Sequence, residues 1–326
     1  MTQIESVILS NNKGMSVTLC NLGARVSSIK LNIDGSATEM IVGHAKVDDY
    51  KHDSFYLGAT CGRVCNRISN AKFTLNGSSY NLSQNDGDNC LHGGSDNFAN
   101  RLWTIDKNTQ DKQHVTLSLE SCDGDQGFPG NLQINVEFEL TEENQLIIQY
   151  RGVTDAPTPV NITNHSYFNL GETSCEALLL TINASNYLQS SASNTPTGKI
   201  LSVLNSNFDF RNESCIGEKQ QKQRAKAINS FQGFDHCMVL DKPSLQQACA
   251  VLTSKSKKVT MSLFTDQPAL QLYTGSYLSN EFKAYQGVCL EAQGFPDAVN
   301  VDHFPSTILS SGESYHKTII YQFALL

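Results

Sequence analysis

The chain has 326 residues, 39% of them apolar, which is enough to bury a large core without disulfides or a structural metal. Its formal net charge of -8 excludes the basic footprint that nucleic acid or an anionic membrane surface requires. Length leaves one domain or two open, since all-β bodies run well past the usual size of a single domain.

The opening MTQIESVILS has no basic stretch leading into a long apolar run, and no apolar run elsewhere reaches bilayer length. A cytoplasmic chain, neither secreted nor membrane-inserted, is expected. Ten cysteines are scattered at irregular intervals, and the closest pair, Cys61 and Cys65, is spaced C-x3-C rather than C-x2-C. Reduced thiols are expected, with Cys289 in GVCLEAQ acting as a small hydrophobe.

In chain order, the first polar cluster is Gly62-Arg63-Val64-Cys65-Asn66-Arg67-Ile68, followed by Asn89-Cys90-Leu91-His92-Gly93-Gly94. It reads either as a turn held by side-chain hydrogen bonds or as a polar pocket wall. Neither G-x-G-x-x-G nor a P-loop pattern is present, so phosphate-loop chemistry is not indicated. Alternation of period two then predicts half-buried strands over VTLSLE (115–120), LQINVEFEL (132–140) and QLIIQYRGV (145–153), and later over KVTMSLFTD (258–266) and TIIYQFAL (318–325). Asn76-Gly77, Asp123-Gly124 and Pro129-Gly130 supply turns for antiparallel pairing. The pattern predicts an all-β fold, a large antiparallel β-sandwich.

The segment TDAPTPVN, with Pro157 and Pro159, is either a linker or a crossing between sheets of one body, and the second reading is preferred. It runs into Asn161-Ile162-Thr163-Asn164-His165-Ser166-Tyr167-Phe168-Asn169-Leu170. An extended backbone there places His165 and Tyr167 on one face. Only residues 215–230 have helix-forming composition, and their charge suggests an exposed connection. The third cluster is Gly233-Phe234-Asp235-His236. In the fourth, alternation puts Gln271 with Tyr273 on one face of ALQLY and Glu291 with Gln293 on one face of VCLEAQ, with the leucines facing away. A carboxylate between Leu290 and Ala292 is costly to bury unless it is paired or working. Glu291 is therefore either a structural ion pair, for instance with Arg67, or a reacting group.

Taken together, GRVCNRI, NCLHGG, DGDQGFPGNL, TDAPTPVNITNHSYFNL, PTGKI with FDFR, GFDH, PALQLYTG and GVCLEAQGFPDAVN resemble the aldose 1-epimerase (galactose mutarotase) family over nearly the whole chain. The resemblance implies one domain over 1–326, a galactose mutarotase-like supersandwich with the sugar on a concave sheet face. It implies that His165 is the general acid and Glu291 the general base. It also implies that Asn66, Arg67, His92, Tyr167, Asp235 and Gln271 bind the sugar. Departures are small: Cys65 where alanine is common, Ala292 where threonine is common, and DNFANRLW without a glycine before the phenylalanine.

The implied reaction interconverts the α and β anomers of a free hexose. Glu291 takes the proton of the anomeric hydroxyl while His165, expected on the opposite side of the hemiacetal, protonates the ring oxygen; reclosure reverses the roles. No cofactor and no metal are expected, because no H-E-x-x-H or paired C-x2-C spacing occurs. The expected partner is a small aldohexose, with no nucleic acid and no membrane, and the chain is expected to be a monomer or homodimer. The alternatives are a hexose-6-phosphate 1-epimerase, which should need a cationic cluster, and a non-catalytic sugar sensor on the same fold.

Overall fold

The structure, a computed structural model, describes residues 3–226, 233–256 and 258–326. All five strands predicted from alternation fall in one nine-stranded antiparallel sheet. Its order is Thr104–Asp106, His114–Ser121, Leu132–Leu140, Gln145–Thr154, Ser314–Leu325, Val259–Thr265, Ala250–Thr253, Leu179–Ile182 and Ser214–Cys215. The pattern was readable because one face is wet. Leu132, Ile134, Val136, Phe138 and Leu140 are buried, whereas Gln133, Asn135 and Glu139 between them are exposed.

A second antiparallel sheet has seven strands in the order Pro196–Ser202, Asn186–Ser190, Asp235–Val239, Ala269–Tyr273, Val288–Gln293, Tyr167–Phe168 and Ile41–Val42. Leu270, Leu272, Leu290 and Ala292 on its inner face join Ile134, Val136 and Ile148 of the nine-stranded sheet in one apolar core. Truncating any of these leucines to alanine costs about 2–5 kcal/mol. An N-terminal four-stranded sheet over Ser6–Ser10, Ser16–Cys20, Arg25–Ile33 and Ser36–Glu39 adds Leu9, Val17 and Ile29 to the same core. The sandwich architecture thus follows from sheets that each bury one apolar face.

Asn76 and Gly77, with φ of 51° and 80°, turn the hairpin of Lys72–Leu75 and Ser78–Asn81, a left-handed pair that Asn-Gly adopts with little strain. The segment 155–164 crosses between sheets as expected. It leaves Gln145–Thr154, pairs Thr158–Pro159 with Ile308–Leu309 and Thr163–Asn164 with Thr60–Cys61, and enters the seven-stranded sheet at Tyr167–Phe168. The stretch 161–170 is consequently not one continuous strand. The α-helix Ile216–Lys226 occupies part of the predicted 215–230 stretch, whose last residues lie outside the described ones. It is less exposed than its charge suggested. Ile216 and Gln220 are buried, and Gln220 Nε2 donates to Glu176 Oε1 at 2.9 Å.

Candidate active site

The outer face of the seven-stranded sheet floors a cavity of about 360 Å3, and all eight residues singled out in the sequence line it. The floor comes from strand register. Gln271 pairs with Glu291, Tyr273 with Cys289 on one side and Asp235 on the other, and Tyr167 with Cys289. Alternation sends Leu272 and Leu290 inward and Gln271 and Glu291 outward, as expected from the sequence. The walls come from loops carrying Phe55, Tyr56, Asn66, Asp86, His92 and Asn194 and from Arg67, which begins the short strand Arg67–Ile68.

His165 is placed by its backbone. Its N–H donates to Ala59 O at 2.9 Å and its carbonyl accepts from Gly58 N at 3.0 Å. Gly58, at φ 65°, must be glycine, because a Cβ there would lie 1.9 Å from Val26 O. The neighbouring loop is organised by buried Arg25, which donates to Asp53, Leu57 O and Ala99 O, while Asp53 accepts from the N–H groups of Phe55 and Leu57. This sets Phe55 and Tyr56 at the cavity. On the opposite wall Asn66, at φ 58°, donates its N–H to His92 Nδ1 at 3.3 Å, and its Oδ1 accepts from Arg67 N at 2.8 Å. His92 therefore carries its proton on Nε2. A Cβ at Gly93, φ 96°, would lie 2.2 Å from Gly62 O, which explains the glycine after His92.

Ion pairing bears on the two readings of Glu291. Arg67 Nε donates to Asp86 Oδ2 at 2.7 Å, and its Nη1 lies 4.0 Å from Asp235 Oδ2. The ionisable partner of Glu291 is instead His165, with Nε2 and Oε1 3.7 Å apart. Arg67 is thus held by other carboxylates, and Glu291 is not its structural partner. The spacing also corrects one expectation: His165 and Glu291 sit side by side on the floor and do not flank a ring from opposite sides. Arg63, in the same motif as Arg67, has no part in the cavity. It is buried and donates to Ser121 Oγ, Ser121 O, Cys122 O, Pro129 O and Thr158 Oγ1.

Glu291 is 2% exposed and His165 4%. Burial pushes the Glu291 carboxyl well above the usual carboxylate range; nearby Asp235 adds to this and Arg67 opposes it. Burial lowers His165 to about 4, against the pull of Asp53 and Asp235, and drives His92 well below the ordinary imidazole value. Both partners of the floor pair are therefore biased toward their neutral forms. Oε2 of Glu291 and Oε1 of Gln271 are buried without a hydrogen-bond partner among the described residues, while Gln271 Nε2 donates to Asp235 Oδ1 at 2.6 Å. Such orphans in a polar cavity suit a ligand rich in hydroxyls.

Donor atoms of His165, Cys289 and Glu291 lie within 4.8 Å of one another. Burial holds the Cys289 thiol protonated, however, and a metal would have to expel that proton. The trio reads better as a row of side chains across the imidazole, with Cys289 Sγ 3.5 Å from His165 Nδ1 and Glu291 Oε1 3.7 Å from Nε2. Sequence reasoning missed Tyr56, Asp86, Asn194, Tyr273 and Tyr277 as lining residues. Of these, only Tyr273 carried a signal, by sharing a strand face with Gln271.

A sequence profile described as aldose 1-epimerase matches residues 5–322. The chain belongs to the aldose 1-epimerase family. It is 38% identical to the aldose 1-epimerase of Escherichia coli K12, over 97% of this chain and 94% of that protein. It is 34% identical to the galactose mutarotase of Sus scrofa, over 95% of this chain and 92% of that one. Among solved structures, an aldose epimerase homologue from C. elegans superposes with TM-score 0.93 at 27% identity, covering 99% of this chain and 100% of its own. A galactose 1-epimerase from Lactobacillus acidophilus gives 0.86 at 29%, with 99% and 95% covered. The galactose mutarotase-like sandwich expected from the sequence is therefore the fold of this family member.

Proposed function

We propose that the chain interconverts the α and β anomers of free aldohexoses by general acid and base catalysis at His165 and Glu291. The observation that carries this is the buried pair itself, 3.7 Å apart on the floor of a polar cavity. In a hemiacetal the hydroxyl oxygen and the ring oxygen are bonded to one carbon, so two adjacent groups can each reach one of them from the same side.

The cycle starts with Glu291 ionised and His165 protonated. Glu291 accepts the anomeric hydroxyl proton and His165 Nε2 gives its proton to the ring oxygen, which breaks the ring C–O bond and leaves an open-chain aldehyde. The pair is then neutral. Rotation about C1–C2 presents the other carbonyl face; His165 takes back the proton, Glu291 returns its own, and the other anomer forms. Ring opening thus converts an ion pair into a neutral pair, the form that burial favours. Arg67 pulls Glu291 toward its ionised form, and Asp53 and Asp235 pull His165 toward its own, so the two states are kept within reach of each other.

Binding is assigned to the surrounding groups. Arg67 and neutral His92 donate to sugar hydroxyls, and Asp235 accepts. Gln271 Oε1 accepts as well, its amide being spent on Asp235. Tyr167 gives its own proton to Phe55 O, so it faces a sugar as an acceptor. Asn66 acts mainly by fixing Arg67 and His92. With Asp86, Asp235 and Glu291 around a single arginine, the cavity suits a neutral sugar better than a hexose 6-phosphate. We further propose one catalytic body over 1–326, cytoplasmic, cofactor-free and metal-free, working as a monomer or homodimer. The near-complete coverage of its relatives supports the first, and no described helix is long and apolar enough to cross a membrane. Polarimetry of His165→Asn and Glu291→Gln tests the assignment. Loss of turnover with sugar binding retained is expected, and full turnover in either variant would refute it. A protein that binds hexoses without any mutarotation would instead be a sensor.

A further inference from the structure

The catalytic scheme gives no task to Cys289, yet this residue touches the reacting imidazole. Its Sγ lies 3.5 Å from His165 Nδ1, while Nε2 on the other side of the ring faces Glu291 Oε1 at 3.7 Å. Cys289 is fully buried and fixed in register between Tyr167 and Tyr273, and the His165 backbone is fixed by Gly58 and Ala59. Neither partner can drift from this contact without disturbing a sheet.

We propose that Cys289 is a positioning residue whose sulfur accepts a hydrogen bond from His165 Nδ1–H, holding the imidazole in the tautomer that leaves Nε2 to carry the travelling proton. The inference rests on the acid and base roles proposed for His165 and Glu291. In that cycle Nε2 must be protonated before ring opening and bare after it, so Nδ1 has to keep its proton throughout. A bare Nδ1 after proton transfer would leave an imidazole anion, and an Nε2–H neutral form could not take the proton back. The neutral pair formed by ring opening obeys the same order: Nε2, which faces Glu291 Oε1 at 3.7 Å, is bare, and Nδ1–H is left for sulfur.

The choice of sulfur also has a consequence for charge. A carboxylate in this place would stabilise the imidazolium, as in a Ser-His-Asp triad, and favour the ion pair over the neutral pair. A thiol that burial keeps protonated is a weak, uncharged acceptor. It orients the ring without trapping the proton on it, which suits a reaction that must run through both protonation states in each turnover.

The test begins with the unaltered protein. Two-bond 1H–15N correlation spectra of the neutral His165 ring should show a protonated Nδ1 and a bare Nε2, and the opposite tautomer overturns the proposal. Cys289→Ala should lower kcat about tenfold with KM unchanged, the lower end of the scale seen when an orienting partner of a metal-ligating histidine is lost, and should mix the His165 tautomers. Cys289→Ser, which keeps a neutral acceptor, should recover most of kcat and the single tautomer. Unchanged kcat and an unchanged His165 spectrum in Cys289→Ala would overturn the proposal. If Cys289→Ala does not fold, the wild-type spectrum and Cys289→Ser still decide. Retained activity in His165→Asn would instead remove the catalytic reading, whatever the tautomer.

Discussion

Replacing Glu291 by glutamine changes one carboxyl oxygen for an amide nitrogen at nearly constant volume and removes the proposed base. The residue is 2% exposed and 3.7 Å from His165, so no solvent-exposed carboxylate can substitute at that point of the floor. A positioned base contributes about 10²–10⁴ in rate, so kcat should fall by that factor, or about 3–5 kcal/mol in barrier. KM should change little, since the sugar hydroxyls keep Arg67, His92, Asp235 and Gln271. Stability should move the other way. Burial raises the Glu291 pKa, so its contribution to stability is full at low pH and is lost as pH rises from the ordinary carboxylate range toward the raised value. Glutamine has no such loss, and the variant should match or exceed the wild type in thermal stability above neutral pH. Polarimetry of freshly dissolved α-galactose, corrected for the spontaneous reaction, reads the first effect and thermal unfolding against pH reads the second. A kcat within threefold of wild type would refute the catalytic role, and a collapse of stability would restore a purely structural one.

Three further outcomes are expected. His165 and His236, both lowered to about 4 by burial, bind protons more readily when unfolded, so the stability they provide is present above about pH 6.5 and lost as pH falls toward 4, at about 3 kcal/mol each; denaturant unfolding of His165→Asn should show a pH loss smaller by that amount, and an unchanged loss would contradict the buried neutral state. Asp86→Asn removes the charge that anchors Arg67, and because Asp86 is 35% exposed the pair is worth about 1 kcal/mol or less, a rise in KM of about twofold to fivefold at constant kcat; a fall in kcat alone would place Arg67 at the reacting atoms instead. Activity should survive exhaustive chelation, since the proton relay needs only side chains, and restoration of a chelated, inactive sample by added metal would show that His165, Cys289 and Glu291 hold an ion.

The strands over 132–140 and 145–154 were legible because the nine-stranded sheet has one wet face, which stamps a period of two on the sequence. The seven-stranded sheet is buried on both sides at its centre: every residue of Ala269–Tyr273 and Val288–Gln293 is buried. There the informative feature was polarity where a core wants leucine, as at Gln271 and Glu291. His165 and Tyr167 were assigned to one face on the premise of a continuous strand. The strand breaks between Asn164 and Tyr167, yet both rings reach the cavity, 5.0 Å apart. Asp86 and Asn194 stayed hidden because turns favour such residues for their own reasons. The side-by-side placement of His165 and Glu291 was not readable either, since spacing along a chain says nothing about distance across a sheet.

The most direct test of the account is the optical rotation of fresh α-D-galactose and α-D-glucose with purified protein, run beside glucose 6-phosphate in one buffer and salt. The account expects rapid approach to anomeric equilibrium with the free hexoses and a kcat/KM at least about tenfold lower for the phosphate, whose dianion meets Asp86, Asp235 and Glu291. No acceleration with either free hexose, or a preference for the phosphorylated sugar, would contradict it.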